Sequence, residues 1–365
     1  MDEGGMDGMR LRLVLISVVV PLLVVAAAIV GGRWAGGEVA ADSRSAMASG
    51  LDSLPADTQV AGFTDWSRIR QVLGVGSSTA SGRATLTDDA ALRDLSTRSV
   101  IGQYTEEMHD AYGWSPADLD WEAYGQAQDG AVMVVRLGET VSFDSVRSHL
   151  RELGYVRDGR VWTLGAESSV ARSALGSTLR AITVIPRQRL LVAADRAAYV
   201  STVLETIDRD APSLLSVRSA ADVASALAGA DSALLQSGPF TCESTSLKDD
   251  GPDVQAQARA AIDRAGDLVE PEFTGRALDA GSKTSQTMRF ALGFRSPTAA
   301  AQQLRVRTAL ASGAFIGRSG RIEESLGLRS SSVRGSTALL RFRHDPDRTA
   351  YMTGDGPLLF AGCGV

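Results

Sequence analysis

Cys242 and Cys363 are the only thiols in a chain of 365 residues. Such a pair can close a disulfide, remain as two buried thiols, or serve metal or redox chemistry. An even number of cysteines in an oxidising compartment favours the disulfide, and two cysteines allow one intramolecular pairing. Closing a loop of about 120 residues constrains the unfolded chain by the equivalent of about 5 kcal/mol, an upper figure.

The densest cluster of rings and acids is Tyr112, Trp114, Asp118, Asp120, Trp121, Glu122 and Tyr124. Rings stack on sugars and carboxylates accept from hydroxyls or amides, so this segment is a candidate binding surface for a sugar or peptide. Two carboxylates facing across a cleft at about 5 to 9 Å would instead supply the acid and base of glycoside hydrolysis. The competing structural reading is a short helix, opened by Ser115-Pro116-x-Asp118, that pins Leu119, Trp121 and Tyr124 to a sheet.

Other constellations carry less. His109, His149 and His344 are the only histidines, and none stands in a His-Glu-x-x-His, Gly-x-Ser-x-Gly or Cys-His context. Glu106-Glu107 beside His109-Asp110 place carboxylates and an imidazole within one helical turn, which is thinkable as a metal site but reads as a solvated face. Gly74-Val-Gly76 opens a Gly/Ser/Thr loop reaching Gly82. It lacks the third glycine of a dinucleotide site and the Gly-Lys-Ser/Thr end of a phosphate loop, and so reads as a solvent loop. Asp195-Arg196 and Asp347-Arg348 recur at equivalent places and read as helix caps at strand-to-helix junctions. No catalytic residue, metal set or cofactor fingerprint is assigned.

Composition, at 44% hydrophobic and 22% charged residues, is ordinary for a folded protein. A net charge of −6 argues against a general nucleic-acid partner, which needs a dominant basic footprint. The charge is uneven. Between Met288 and Arg348 eleven arginines oppose Glu323, Glu324, Asp345 and Asp347, so this segment carries +7 and the remainder −13. A basic lobe on an acidic body suits lipid head groups or an anionic envelope polymer. The plainer alternative is arginines alternating with apolar residues along exposed strands. Lys248 and Lys283 are the only lysines among 37 basic residues, a bias that marks a GC-rich coding sequence rather than a function.

The solvent in which these residues act is set near the N-terminus. Leu13 to Val30 is an apolar run of eighteen residues without a charge, and in helical form it spans roughly 27 Å, close to a bilayer's hydrocarbon thickness. It predicts a single transmembrane helix or signal-anchor over residues 13–30, with residues 1–12 as a short cytoplasmic tail. Arg10 and Arg12 before the run outweigh Arg33 after it, in the positive-inside sense. A cleaved signal is the alternative, but the run exceeds the usual apolar core, and neither Ala26-Ala28 nor Val39-Ala41 is well placed for cleavage. Translation from Met9 instead of Met1 would leave the run intact. Residues 31–50, rich in Gly, Ala and Ser, read as a flexible stalk. The apolar run followed by Leu54-Pro-Ala-Asp-Thr58 resembles actinobacterial membrane-anchored exported proteins. That resemblance covers a short stretch and implies export, without an activity.

Residues 51–129 form the N-terminal part of the body. Val60–Thr64 reads as a strand and Asp65–Leu73 as a short amphipathic helix with Trp66, Ile69 and Leu73 on one face. Thr87 or Asp88 opens one long helix continuing through Met108. From Gly130 onward the chain repeats itself. The first copy has a strand over 131–137 and a helix containing Phe143, Val146, Leu150 and Leu153. A hairpin over 155–164 and a strand pair over 181–185 and 190–193 follow. The second has a strand over 288–294, a helix opened by Ser296-Pro297, and a strand pair over 326–333 and 338–342. Leu150-Arg151 precedes Leu304-Arg305 by 154 residues, and Asp195–Val200 precedes Asp347–Met352 by 152. The first copy alone carries an extra helical stretch, roughly 201–236.

Residues 130–245 are thus a first repeat lobe with a helical insertion, and 246–365 a linker and second repeat lobe. Each β-α-β-β unit predicts mixed or antiparallel sheet with helices on one face, and the fold class is α+β with two related lobes. One continuous sheet is the alternative.

These features lead to the expectation of a membrane-anchored extracytoplasmic protein of non-enzymatic type, acting as a binding, scaffold or assembly factor at the cell envelope. Its partners would be the membrane and an envelope polymer or envelope protein, with no nucleic acid. An enzyme acting on envelope polymers through Asp118, Asp120 and Glu122 is one alternative. An extracytoplasmic ligand-binding sensor working through a partner is the other.

Overall fold

Aliphatic and β-branched runs recur through the body, and a computed structural model shows them as strands of one sheet. It describes residues 46–76, 79–165, 168, 174–282, 285–345 and 357–364, within the unit Ala46–Val365. The apolar run over 13–30 lies outside the described residues, among which no helix is long and apolar enough to cross a membrane.

In chain order the strands are β1 (Val60–Thr64), β2 (Leu119–Ala127), β3 (Gly130–Leu137), β4 (Tyr155–Asp158), β5 (Val161–Leu164) and β6 (Ala181–Ile185). They continue as β7 (Leu190–Ala194), β8 (Ser232–Ser237), β9 (Phe273–Ser282), β10 (Ser285–Gly293), β11 (Leu326–Arg334) and β12 (Thr337–His344). The sheet order is β11-β12-β10-β9-β8-β1-β2-β3-β7-β6-β5-β4. Every neighbouring pair is antiparallel.

The two strand sets meet at the antiparallel pair β1–β8, in which Gly62 faces Leu234. From it the order runs β1-β2-β3-β7-β6 to one side, where β5 and β4 extend the edge, and β8-β9-β10-β12-β11 to the other. Met133 faces Ala193 on one side as Phe290 faces Leu340 on the other. The two sets of strands therefore share one sheet rather than forming separate ones. The reason is local: β1 and β8 pair through their backbones, so neither set keeps an open inner edge.

The helices are α1 (Trp66–Leu73), α2 (Ala80–Leu92), α3 (Thr105–Tyr112), α4 (Phe143–Glu152), α5 (Ala174–Thr178), α6 (Ala197–Asp208), α7 (Arg218–Ala226), α8 (Pro252–Ala265) and α9 (Pro297–Leu310). They lie on both faces of the sheet, not on one. Successive side chains of a strand point to opposite faces. On β3, Met133 and Val135 join one buried cluster with Trp66, Leu86, Met108, Leu150, Ala258 and Val306, which α1 to α4, α8 and α9 supply. Val132 and Val134 join the other, with Val200 and Val203 of α6, Val223 of α7, and Met47 and Leu51 of the helical residues 46–51. Burial on both sides explains why β3 and β7 read as near-continuous apolar runs.

Several expected boundaries move. The long helix expected from Thr87 to Met108 is two helices: α2 starts earlier, capped by Thr79, whose hydroxyl accepts from the Gly82 amide at 3.1 Å. It ends at Leu92, and Asp94 just beyond it turns the chain with a φ of 58°, in the left-handed region. The stretch 201–236 holds α6 and α7 but closes with β8, which the helical reading missed. The segment read as a linker carries α8 and β9.

Cys242 and Cys363 are joined in a disulfide, with Cα atoms 5.6 Å apart. The same C-terminal segment is held by Arg307, which donates to the carbonyls of Phe360 at 2.8 Å, Gly362 at 2.9 Å and Val269 at 2.9 Å. Burial without a carboxylate partner pulls the Arg307 guanidinium down to about 9.

Candidate functional site

The aromatic and acidic segment does not assemble into a surface. Ser115 and Asp118 form a capping box around the single turn Pro116–Asp118, with the Ser115 amide and hydroxyl both donating to Asp118 Oδ2 at 3.0 Å. A strand, β2, follows in place of the expected helix. A bulge between Leu119 and Trp121 resets its alternation. As a result Leu119 faces the cluster that also holds Trp114, and Trp121 packs in the cluster on the other face of the sheet. Tyr112, Trp114, Trp121 and Glu122 are buried, while Asp118, Asp120 and Tyr124 are half-buried. Rings on opposite faces of a sheet cannot stack on one ligand, so the expected single surface is corrected: Tyr112, Trp114 and Trp121 pack in the core and Tyr124 stays half-buried.

The carboxylates are equally committed. Asp120 pairs with Arg136 at 3.2 Å. Glu122 is buried under α1, where it accepts from Trp66 Nε1 at 3.0 Å, Ser99 Oγ at 2.5 Å and the Val100 amide at 2.8 Å. Burial pushes its carboxyl above the usual range despite these donors. In α3, Glu106 takes a two-pronged hydrogen bond from the buried Arg83 at 3.1 and 3.0 Å, which fastens α3 to α2. Among the described residues no group of acids, histidines and cysteines is arranged to hold a metal. Asp195 does not cap α6. It accepts from the Ala131 amide at 3.4 Å and pairs with Arg196 at 3.1 Å, and its counterpart Asp347 lies outside the described residues.

The arginines of the expected basic lobe divide between interior and exterior. Arg307 is buried with carbonyl partners, and Arg289 is buried against Asp279 and the carbonyls of Ala226 and Ala228. Arg329, Arg334 and Arg343 are exposed on β11 and β12.

A different set of arginines converges on the face of α6. Trp121, Arg136 and Leu190 stand abreast on β2, β3 and β7, where Trp121 is paired with Arg136 and Arg136 with Leu190. Around them Ser49, Asp52 and Ser53, the turn Arg187-Gln188-Arg189, and Ile207-Asp208-Arg209 at the end of α6 complete a cleft of about 800 Å³. Its lining carries Arg136, Arg187, Arg189 and Arg209 against Asp52 and Asp208. Asp208 is paired outward with Arg160 at 3.4 Å.

The backbone at two of these arginines is unusual. Arg189 has φ 56° and Arg209 φ 71°, two of the three non-glycine residues with positive φ among the described residues. Arg209 ends α6 at the position where glycine is the default, and its amide donates to the carbonyls of Glu205 and Thr206. Each such placement costs about 1–2 kcal/mol relative to ordinary backbone. Arg189 recovers that cost by donating to the carbonyls of Leu137, Gly138 and Val141 while lying 5.4 Å over the Phe143 ring. Arg209 reaches Asp52, which also accepts from Ser213. Burial pushes Asp52 up, but the hydrogen bonds from Arg209 and Ser213 outweigh it and hold the carboxyl below its ordinary value. Among the described residues Arg187 has no ion-pair partner within 4 Å, and the buried indole N–H of Trp121 has no acceptor.

Sequence reasoning passed over all four arginines. The visible trace was Pro186-Arg-Gln-Arg189, a turn with two cations. Arg209 becomes conspicuous only when the end of α6 is known.

No family model matches the chain, and no curated protein matches it. Among solved structures, crystal forms I and III of TP0453 align with a TM-score of 0.38 each, at 6% and 8% identity. The alignments cover 83% of this chain and 96% and 97% of theirs. A likeness at that score says nothing about the cleft.

Proposed function

We propose that this chain is a membrane-tethered protein of the cell envelope whose body lies on the extracytoplasmic side and acts by binding, with the arginine-lined cleft as its contact site. The observation that carries this reading is the cleft, in which four arginines meet two aspartates and two of the arginines occupy backbone positions that favour glycine. The apolar run over 13–30 supports the tether, and the Cys242–Cys363 disulfide supports an oxidising compartment. The common strand order on either side of β1–β8 supports descent of the two halves from one duplicated unit. The paired-carboxylate enzyme reading has less support, because Asp118, Asp120 and Glu122 are spent on a cap, an ion pair and a core hydrogen-bond set.

Expression of the tagged full-length chain in an actinobacterial host tests the location. The expected result is an uncleaved product in the membrane fraction, with a body digested by protease added to spheroplasts and thiols that alkylate only after reduction. A shortened product released into the medium would overturn the tether, and thiols that alkylate without reduction would overturn the extracytoplasmic placement.

A further inference from the structure

The cleft combines three features that point to the chemistry of its occupant. It holds an excess of positive charge in a chain that is acidic overall, so its field attracts anions locally. Its volume of about 800 Å³ far exceeds what a lone inorganic anion needs and suits a small organic molecule. Its cations are not equivalent. Arg189 is occupied by three carbonyls and Arg136 by Asp120, which leaves Arg187 in the β6–β7 turn and Arg209 at the end of α6.

Arg209 is the more telling of the two. Its side chain is 66% exposed, so its pairing with Asp52 is worth little to the fold, whereas its left-handed backbone is a cost. A glycine there would relieve that cost and keep the helix cap. The guanidinium is thus the part of Arg209 that the fold does not need. The Trp121 ring, 3% exposed, forms part of the floor of the cleft.

Resting on the reading of this cleft as the contact site, we infer that it binds a phosphorylated small molecule. Arg187 and Arg209 take the phosphate in the fork geometry of guanidinium and oxyanion, and Trp121 meets the body of the ligand. Asp52 competes with that phosphate for Arg209, which sets the affinity. The phosphate can belong to a soluble metabolite or to a lipid head group.

The full-length chain in nanodiscs of phosphatidylcholine is titrated calorimetrically, at physiological salt, with glucose 6-phosphate, glucose, and short-chain dihexanoyl phosphatidic acid. Glucose 6-phosphate binding without glucose binding supports a soluble source. Dihexanoyl phosphatidic acid binding alone supports a head group. Binding by neither phosphate probe overturns the proposal. The variant R187Q/R209G is expected to bind the active probe roughly tenfold or more weakly with a melting temperature unchanged or raised. D52N, which removes the internal competitor, is expected to bind roughly threefold or more tightly. Equal affinity in all three proteins would overturn the proposal. Membrane retention is read by fractionation and probe binding by calorimetry, so each can fail without the other; a chain released from the membrane is titrated with the same probes in buffer.

Discussion

Asp65 shows how one carboxylate can carry a structural duty and a penalty at once. It caps α1, accepting from the Arg68 amide at 2.8 Å, and its own amide donates to the Asp231 carbonyl at 2.8 Å. Burial, with the charge of Asp231 adding to it and the Arg68 amide opposing it, pushes Asp65 from an ordinary 3.8 to about 6. A raised carboxyl binds its proton more tightly in the folded state than in the unfolded one. Its contribution to stability is therefore full below about pH 4 and is lost as pH rises to about 6. Asp65→Asn keeps the capping oxygen and removes the charge. The stability of the variant should be flatter across that window, and at neutral pH it should gain up to about 3 kcal/mol on the native chain. Urea titrations of the full chain in detergent at several pH values measure this, and parallel profiles would contradict it. The acids near Asp118 teach the complementary lesson. They are neighbours in sequence, yet one caps a turn, one meets Arg136, and one is sealed under Trp66, because a capping box and then a bulge in β2 separate them.

At the scale of elements, α7 fits closely against the sheet. A Cβ on Gly275 of β9 would lie 2.6 Å from both Leu227 Cδ1 and Val223 Cγ1, and one on Gly293 of β10 would lie 3.1 Å from Val223 Cγ2. Glycine at these two points lets the helix approach the strands closely. Gly275→Ala should destabilise the body by about 1–3 kcal/mol through overpacking. Adding Val223→Ala should recover part of the loss, a coupling that a double-mutant cycle measures; additive losses would place the strain elsewhere. Elements with a clear period were legible. The spacing of Trp66, Ile69 and Leu73 marked α1 and its buried face, and Ser296-Pro297 marked the start of α9, where the Ser296 hydroxyl accepts from Ala299 at 3.2 Å. Strands β2, β8 and β9 escaped notice for physical reasons. β2 carries glutamate and tyrosine, β8 ends a helical run, and β9 is broken by Gly275, Arg276 and Asp279.

For the whole molecule, the Cys242–Cys363 bond links the segment after β8 to the C-terminal segment, whose Phe360 ring packs 5.1 Å from Phe290 and 5.0 Å from Phe342. Cys242→Ser with Cys363→Ser should lower stability by about 2–5 kcal/mol without unfolding the chain, because the loop closed is long while Arg307 and Phe360 still hold the segment. Denaturant melts of the double variant, and of the native chain with reductant, should shift together; an unchanged midpoint would show that the bond constrains little. The amino-acid sequence by itself determined what local chemistry determines: the period of α1, α4 and α9, the strands β3, β6, β7, β10, β11 and β12, and the one disulfide two cysteines can make. The tertiary structure decided what depends on distant partners. Backbone pairing of β1 with β8 joined two strand sets into one sheet, a bulge turned Trp121 to the face opposite Leu119, and folding brought arginines from positions 136, 187, 189 and 209 to one cleft. Side-chain period is written every two to four residues, whereas strand pairing and the closure of a cleft join residues far apart along the chain, so no local pattern records them.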